Sequence, residues 1–294
     1  MKMPAFSATV LGLVIVAMGA GCTSSDVVSP SEQWVLTMAD EFDGGGGVGG
    51  GTLPSAALWE IETGYGSEDI PEGWGNNEWQ LYTNSVENVR VEGGNLVITA
   101  RCPVGPCRSR DGSITSARIR TKGLYEQAQG RVEGRIKLPE GQGLWPAFWM
   151  LGGNIDEVPW PGCGEIDIME NFGRELDTVE GSLHGPGYCG STQLCATTNI
   201  SSAFQLPEGE AFTDDFHIFA IEWDPGRISY SVDGEVYQII RSGDVSWRGD
   251  WVFNNEFFVL LNVAVGGNPV PDPSSTPFES EMLIDYVRFF ERAQ

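Results

Sequence analysis

Basic residues are scarce in this chain. Its 294 residues include 17 Lys and Arg against 41 Asp and Glu, for a formal net charge of -24 at pH 7. Nucleic-acid binding needs clustered Lys and Arg to neutralise phosphates, so this balance excludes a nucleic-acid partner. It also disfavours anionic polymers as substrates, whereas a neutral glycan is compatible with it.

Histidine is rarer still, with only His184 and His217 in the whole sequence. Neither lies in a nucleophile-elbow context, so a Ser-His-Asp hydrolase is poorly supported. No Cys-x-x-Cys motif or paired-histidine spacing suggests zinc, and we expect no catalytic cofactor.

Cysteine is also sparse, at six residues. Cys102 and Cys107 bracket a Pro-Val-Gly-Pro turn, and Cys189 and Cys195 bracket a short loop. Both pairs are candidates for local disulfides if the protein is exported. Cys163 is then the odd thiol, and we expect a buried small apolar residue rather than a nucleophile.

The N-terminus carries an apolar run, residues 6–20, behind the positive charge of Lys2. The run is too short for a membrane span and predicts a signal peptide over residues 1–21. Residues 19–22, Gly-Ala-Gly-Cys, resemble a bacterial lipobox with Cys22 as the lipidated residue. Gly19 stands where that motif usually carries Leu, and ordinary cleavage with release is the alternative.

Long helical patterns are hard to find, whereas 39 Gly and 17 Pro supply many turns. Residues 22–33 are polar and predict a tether after Cys22, followed by one folded domain over residues 34–294. Many short strands with turn signals predict an all-β fold: a β-sandwich jelly roll of two curved antiparallel sheets, with a substrate cleft on the concave one. We expect an exported monomer, either lipid-anchored in the cell envelope or secreted.

Three carboxylates crowd into residues 165–170, Glu-Ile-Asp-Ile-Met-Glu. Alternation predicts a half-buried strand that points Glu165 and Asp167 to one face. Glu170 breaks the parity, and one bulged residue, at Ile168 or Met169, would return it to that face. The simpler alternative is an ordinary solvated sheet face.

The bulge has a geometric consequence for Glu165 and Glu170. Their Cα atoms would lie roughly 13 Å apart along the strand, at about 3.3 Å per residue. Side chains leaning inward across a concave sheet could bring the carboxyl groups to roughly 5 Å, the separation that a retaining glycosidase needs.

The strand at residues 165–170 resembles the active-site strand of glycoside hydrolase family 16, in the bulged form typical of laminarinases (endo-1,3-β-glucanases). The resemblance extends from Trp34 to Arg292 in the family's order and includes residues 143–151, 181–188, 216–223 and 260–267. The chain departs from the laminarinase pattern after residues 266–268, Gly-Gly-Asn, where Pro269 stands in place of the usual Trp.

The resemblance implies a retaining endo-glycoside hydrolase that cleaves a β-1,3-glucan such as laminarin by double displacement. Glu165 would be the nucleophile and Glu170 the acid/base, with Asp167 between them. A mixed-linkage β-1,3-1,4-glucan is the near alternative, and agarose and carrageenan are further ones. A non-catalytic glycan-binding jelly roll is the remote alternative, because such modules usually lack one of the paired acids.

Aromatic rings that stack on sugars, with amides and acids that hydrogen-bond hydroxyl groups, suit a glycan cleft. With the resemblance, this composition predicts the substrate-binding residues Asn76, Glu78, Arg118, Trp145, Trp149, His184 and Asn262. Arg118 has a second interpretation, in which it balances nearby carboxylates. For the two tryptophans the alternative is a place in the core.

The resemblance also implies a structural calcium ion on the convex side, held by Glu41, Gly93 and Asp285. Backbone carbonyls and one carboxylate would ligate this hard cation. The alternative is that Glu41 and Asp285 are ordinary acids at strand ends.

Overall fold

Two large antiparallel sheets dominate the structure, a computed structural model that describes residues 34–44, 51–67, 70–103, 107, 110–190, 195, 199–270, 272–273 and 276–293. The predicted signal peptide, Cys22 and the tether lie outside the described residues.

The elements, in chain order, are β1 (Trp34–Asp40), β2 (Glu60–Glu62), β3 (Leu81–Tyr82), β4 (Val89–Glu92), β5 (Asn95–Ala100), β6 (Thr115–Ser116), β7 (Arg118–Arg120), β8 (Gly130–Lys137), β9 (Leu144–Gly152), β10 (Glu165–Glu170), β11 (Thr178–His184), β12 (Ile200–Gln205), β13 (His217–Asp224), β14 (Arg227–Val232), β15 (Glu235–Arg241), α1 (Ser242–Val245), β16 (Phe257–Val265) and β17 (Ser280–Arg292). One sheet has the order β15-β14-β13-β8-β17-β5-β4, and β1 also pairs with β17. The other has the order β12-β11-β10-β9-β16-β7-β2, and β3 and β6 form a short parallel pair.

The hydrophobic core lies between the two large sheets. The seven-stranded sheet contributes Phe148, Ile166, Leu183 and Leu261, each completely buried in one cluster. Successive side chains of a strand point to opposite faces, so their neighbours lie on the other side of that sheet. We call that side the cleft face; it carries Trp145, Trp149, Glu165, Asp167, His184 and Asn262.

The predicted all-β jelly-roll sandwich is confirmed. Among the described residues α1 is the one helix assigned, and no helix there is long and apolar enough to cross a membrane. Every residue of β16 is buried, because this strand has the core on one side and the floor of the cleft face on the other.

Both predicted disulfides are present. Cys102 bonds to Cys107 and Cys189 to Cys195, with Cα–Cα distances of 5.9 and 5.6 Å. Cys163 is free and buried, as predicted. Burial raises the pKa of its thiol to about 11, so it is un-ionised at neutral pH and a poor nucleophile.

Candidate active site

A β-bulge interrupts β10 on the cleft face. Asp167 pairs with Trp149 of β9, whereas Met169 pairs with the adjacent Phe148, so Ile168 is left without a partner on that strand. The extra residue turns each later side chain of β10 to the face opposite the one that strict alternation would give it. The predicted bulge is therefore confirmed.

The bulge places Glu170 on the same face as Glu165 and Asp167. Trp145, which lies on the cleft face of β9, donates its indole N–H to Glu170 Oε1 at 2.9 Å. Ser182 of β11 contacts both Asp167 and Glu170, at 2.6 and 3.4 Å. Three acids therefore share one side of the sheet, and the short carboxyl separation expected for a retaining enzyme stays a prediction.

Asp167 is the centre of this cluster and is only 3% exposed. Ser182 Oγ donates to Asp167 Oδ2, and His184 Nε2 lies 3.1 Å from the same oxygen. His184 Nε2 is also 3.6 Å from Glu165 Oε1. A continuous chain of polar contacts thus links Glu165, through His184, Asp167 and Ser182, to Glu170.

Burial and the charge of Asp167 act on both outer acids. They raise the pKa of Glu165 to about 7, and they raise the pKa of Glu170 well above its usual range. A carboxyl group that keeps its proton at neutral pH can act as a general acid, whereas one that titrates near pH 7 can ionise and attack. Such a division of roles suits a glycosidase pair.

His184 supplies the compensating positive charge. Burial disfavours its charged form, but Glu165, Asp167 and Glu170 outweigh burial and raise the pKa of His184 to about 10. The imidazolium in turn lowers the pKa of both outer glutamates. This mutual stabilisation makes a cluster of acids tolerable in a half-buried cleft.

Trp149 is held in place from one face and from its edge. The Arg118 guanidinium lies 4.8 Å from the Trp149 ring and 4.7 Å from the Trp74 ring, and it forms an ion pair with Glu62. Asn262 Oδ1 accepts the Trp149 indole N–H at 2.7 Å. Arg118 therefore does balance a nearby carboxylate, as its second interpretation held.

Arg118 and Asn262 lie in the layer beneath the cleft surface, at 5% and 6% exposure. The polar contacts above engage both side chains with protein partners. Their direct contact with substrate stays a prediction, and their visible effect is to orient Trp149.

Glu78 is likewise beneath the surface, at 4% exposure. Its carboxylate accepts hydrogen bonds from Gln80 at 2.7 Å and from Tyr82 and the half-buried Asn76 at 3.3 Å each. Burial, only partly offset by these donors, raises the pKa of Glu78. Glu78 and Asn76 contact each other as the sequence grouping suggested, and their role toward substrate stays a prediction.

Four further residues contact the predicted site: Ser182, Trp160, Glu62 and Trp74. Ser182 could have been found, because it lies two residues before His184 and so shares its face. Trp160 lies in the connection between β9 and β10, with its ring 6.3 Å from the His184 ring. No sequence signal placed that connection over the histidine.

The chain is similar to known proteins both in sequence and in structure. Residues 69–278 match the family described as glycosyl hydrolases family 16. A β-glucanase of Rhodothermus marinus is 36% identical over 95% of this chain and 92% of its own length. The catalytic domain of an endo-1,3-β-glucanase (laminarinase) from Thermotoga petrophila RKU-1 has a TM-score of 0.78 and 43% identity, and covers 90% of this chain and 100% of that one.

An endo-β-1,3-glucanase from Pyrococcus furiosus is similar to the same degree. Its structure has a TM-score of 0.79 and 43% identity, over 90% of this chain and 97% of that one. Together with the family match over most of the folded residues, these similarities establish that the chain belongs to glycosyl hydrolases family 16.

Proposed function

We propose that this protein is a retaining endo-β-1,3-glucanase. The observation that carries the proposal is the bulged strand β10, which presents Glu165 and Glu170 on one face with Asp167 between them. The named relatives act on β-glucans or β-1,3-glucans, and the acidic chain suits such a neutral polymer.

The reaction proceeds in two displacements. Ionised Glu165 attacks the anomeric carbon, while Glu170 gives its proton to the departing glycosidic oxygen, so a covalent glycosyl-enzyme forms and one sugar fragment leaves. Glu170, now ionised, takes a proton from water, and the hydroxide displaces Glu165 from the anomeric carbon. Each displacement inverts the configuration of the anomeric carbon, so two displacements return it to β in the product.

Product analysis on laminarin, lichenan, agarose and carrageenan tests the substrate assignment. We expect oligosaccharides from laminarin, with a rapid fall in viscosity because an endo enzyme cuts within the chain. Faster hydrolysis of lichenan would favour the mixed-linkage alternative, and binding without hydrolysis would favour a glycan-binding module. Glu170→Ala, purified identically, controls for contaminating activity.

The pH profile depends on the charge of His184. Replacing His184 with glutamine should move both limbs of the kcat/KM profile to higher pH by about one unit, because a nearby positive charge no longer lowers the pKa of Glu165 and Glu170. His217→Gln is the matched control, since the two histidine side chains are equally exposed, at 16%. Limbs that stay in place or move to lower pH would contradict the assigned electrostatics.

We also propose the structural calcium site at a gap beside β17. On one edge of β17, pairing with β1 stops at Val287 and pairing with β5 stops at Ile284. Asp285 lies in the gap and is skipped in the register with β8. Glu41 directly follows β1, and Gly93 lies in the turn that leads into β5, so both residues come from ends of the two strands that border this gap.

The donor set fits a hard cation. Both carboxylate oxygens of Glu41 accept hydrogen bonds from Arg288 at 2.8 Å, which leaves the Glu41 backbone carbonyl for the metal. Arg135 donates a hydrogen bond to Asp285 Oδ2 at 2.8 Å, and the other Asp285 carboxylate oxygen accepts none among the described residues. Asp285 would be the carboxylate ligand, with carbonyl oxygens from Glu41 and Gly93.

Calcium should therefore raise the melting temperature. Ligand at 100 times its Kd adds about 2.7 kcal/mol to the folded state, which corresponds to a Tm increase of roughly 5 °C in a domain of this size. Thermal melts with calcium and with chelator measure it, and Asp285→Asn should reduce the increment. Identical midpoints in calcium and in chelator would count against a bound ion.

We propose that Cys22 carries a lipid that anchors the exported protein. The lipobox-like sequence and the polar residues after it support this. Cys22→Ala should move the protein from the membrane fraction to the soluble fraction, while the neighbouring Thr23→Ala should not. An unchanged membrane fraction for Cys22→Ala would show that the anchor lies elsewhere.

A further inference from the structure

Three ligand-type atoms converge on the cleft face from two neighbouring strands. Glu165 of β10 lies directly opposite His184 of β11, and Asp167 is two residues further along β10. One carboxylate oxygen from each acid and one ring nitrogen of His184 all lie within 4.8 Å of one another. Among the described residues this is the one cluster of three or more such side chains.

Two of the three spacings among these atoms are close to those of a transition-metal site. With bonds of about 2.0–2.1 Å in a tetrahedral zinc site, neighbouring ligand atoms lie about 3.3 Å apart. His184 Nε2 lies 3.1 Å from Asp167 Oδ2 and 3.6 Å from Glu165 Oε1, on either side of that value. We propose that Glu165, Asp167 and His184 form a reversible inhibitory site for a borderline divalent ion, with Zn²⁺ as the representative.

The ligand types select against the common hard cations. Calcium prefers six to eight oxygen ligands and magnesium an octahedron of oxygens, whereas an imidazole nitrogen with two carboxylates suits zinc or copper. The strong negative charge of the chain attracts any divalent cation to the protein. Selectivity therefore comes from the His184 nitrogen, which must lose its proton when it binds the ion, and not from charge.

The surroundings of the cluster make the binding reversible. Asp167 is oriented by the hydrogen bond from Ser182, as metal-ligating carboxylates usually are. His184 Nδ1, however, is buried and has no hydrogen-bond partner among the described residues. Lack of such a partner typically lowers metal affinity by about 10–100-fold, which suits an inhibitor and not a resident ion.

The consequence for activity rests on the proposed function. An ion on Glu165 occupies the oxygen that must attack the sugar, so Zn²⁺ and substrate exclude each other. We expect Zn²⁺ to raise KM for laminarin and leave kcat unchanged at saturating substrate. A fall in kcat with unchanged KM would overturn the placement of the ion on Glu165.

Zn²⁺ binding can be measured without any reference to activity. The chain has only two histidines, so NMR of the ¹⁵N-labelled imidazole rings gives two sets of signals. His217 is the internal control, because its side chain is as exposed as that of His184 and also contacts an acid, Asp233. Among the described residues, His217 belongs to no cluster of three possible metal ligands. Zn²⁺ should shift the His184 signals and not those of His217.

No shift of His184 at saturating Zn²⁺, or a shift of His217 alone, would overturn the site even if the protein proves to be a glucanase. The same shift from calcium or magnesium would overturn its proposed selectivity. Conversely, a His184 shift in a protein that fails to hydrolyse laminarin would refute the proposed function and leave the metal site standing.

Calorimetry on variants provides the quantitative test. Removing a metal ligand should lower Zn²⁺ affinity at least as much as removing a hydrogen bond that supports a ligand. His184→Gln should therefore raise the Zn²⁺ Kd by about tenfold or more. His217→Gln should leave the Kd unchanged. Equal Zn²⁺ affinity in the two variants would overturn the assignment, and the NMR titration of the unmutated protein decides the matter if His184→Gln does not fold.

Discussion

Replacing Glu165 with alanine is expected to lower kcat on laminarin by about 10⁴-fold or more, because no covalent intermediate can form without the nucleophile. Azide added to this variant can reach the anomeric carbon only from the face that Glu165 occupied. With an activated aryl β-glycoside the expected product is therefore the α-glycosyl azide. Proton NMR of that product identifies its configuration.

A matched control for this variant lies on the same face. Glu180 of β11 is directly opposite Glu170 and lies two residues before Ser182, the residue opposite Asp167. Glu180→Gln should keep activity within about tenfold of the unmutated protein, since general destabilisation of the cleft would affect both variants alike. A β-azide from Glu165→Ala, or an equal loss in Glu180→Gln, would show that Glu165 is not the nucleophile.

Replacing Glu170 with alanine is expected to give a different failure. Loss of general acid catalysis should lower kcat on laminarin by about 10²–10⁴-fold. An activated aryl glycoside needs little protonation, so Glu165 should still be glycosylated rapidly, and a burst of phenol should precede a slow steady state. The alkaline limb of the pH profile, which reports ionisation of Glu170, should disappear.

Azide distinguishes this variant from the first one. It needs no general base, so it should accelerate turnover of the glycosyl-enzyme and yield a β-glycosyl azide after two inversions. An α product would contradict the roles assigned to the two glutamates. Independently, the first sugar released by the unmutated enzyme should be the β anomer, and an initial α anomer would mean inversion and refute Glu165 as nucleophile.

The most successful sequence predictions rest on interactions between residues close in the chain. The disulfides join cysteines that are five and six residues apart, so short loops constrained both pairs. The bulge near Ile168 followed from one local conflict: three acids shared a strand whose alternation would otherwise bury Glu170. Such local constraints leave few alternatives, which is why the pattern could be interpreted without the partner strands.

Predictions about substrate contacts were less complete, because burial depends on neighbours distant in sequence. Arg118 was expected at the substrate or beside nearby carboxylates, and its guanidinium lies between Trp74 and Trp149 and pairs with Glu62. These groups come from separate segments. Their stacking depends on the order of β2, β7, β16 and β9, which no local pattern reveals.

By itself, therefore, the sequence determined the fold class, the acid strand with its bulge and the local disulfides, since each follows from strand periodicity or short spacing. Only the tertiary structure decided that His184 lies within reach of both Glu165 and Asp167, that Ser182 joins Asp167 to Glu170, and that Trp160 comes close to the histidine. The physical reason is strand register: pairing between residues twelve or more apart in sequence determines which polar groups meet. Their shared burial then shifts the pKa values on which the chemistry depends.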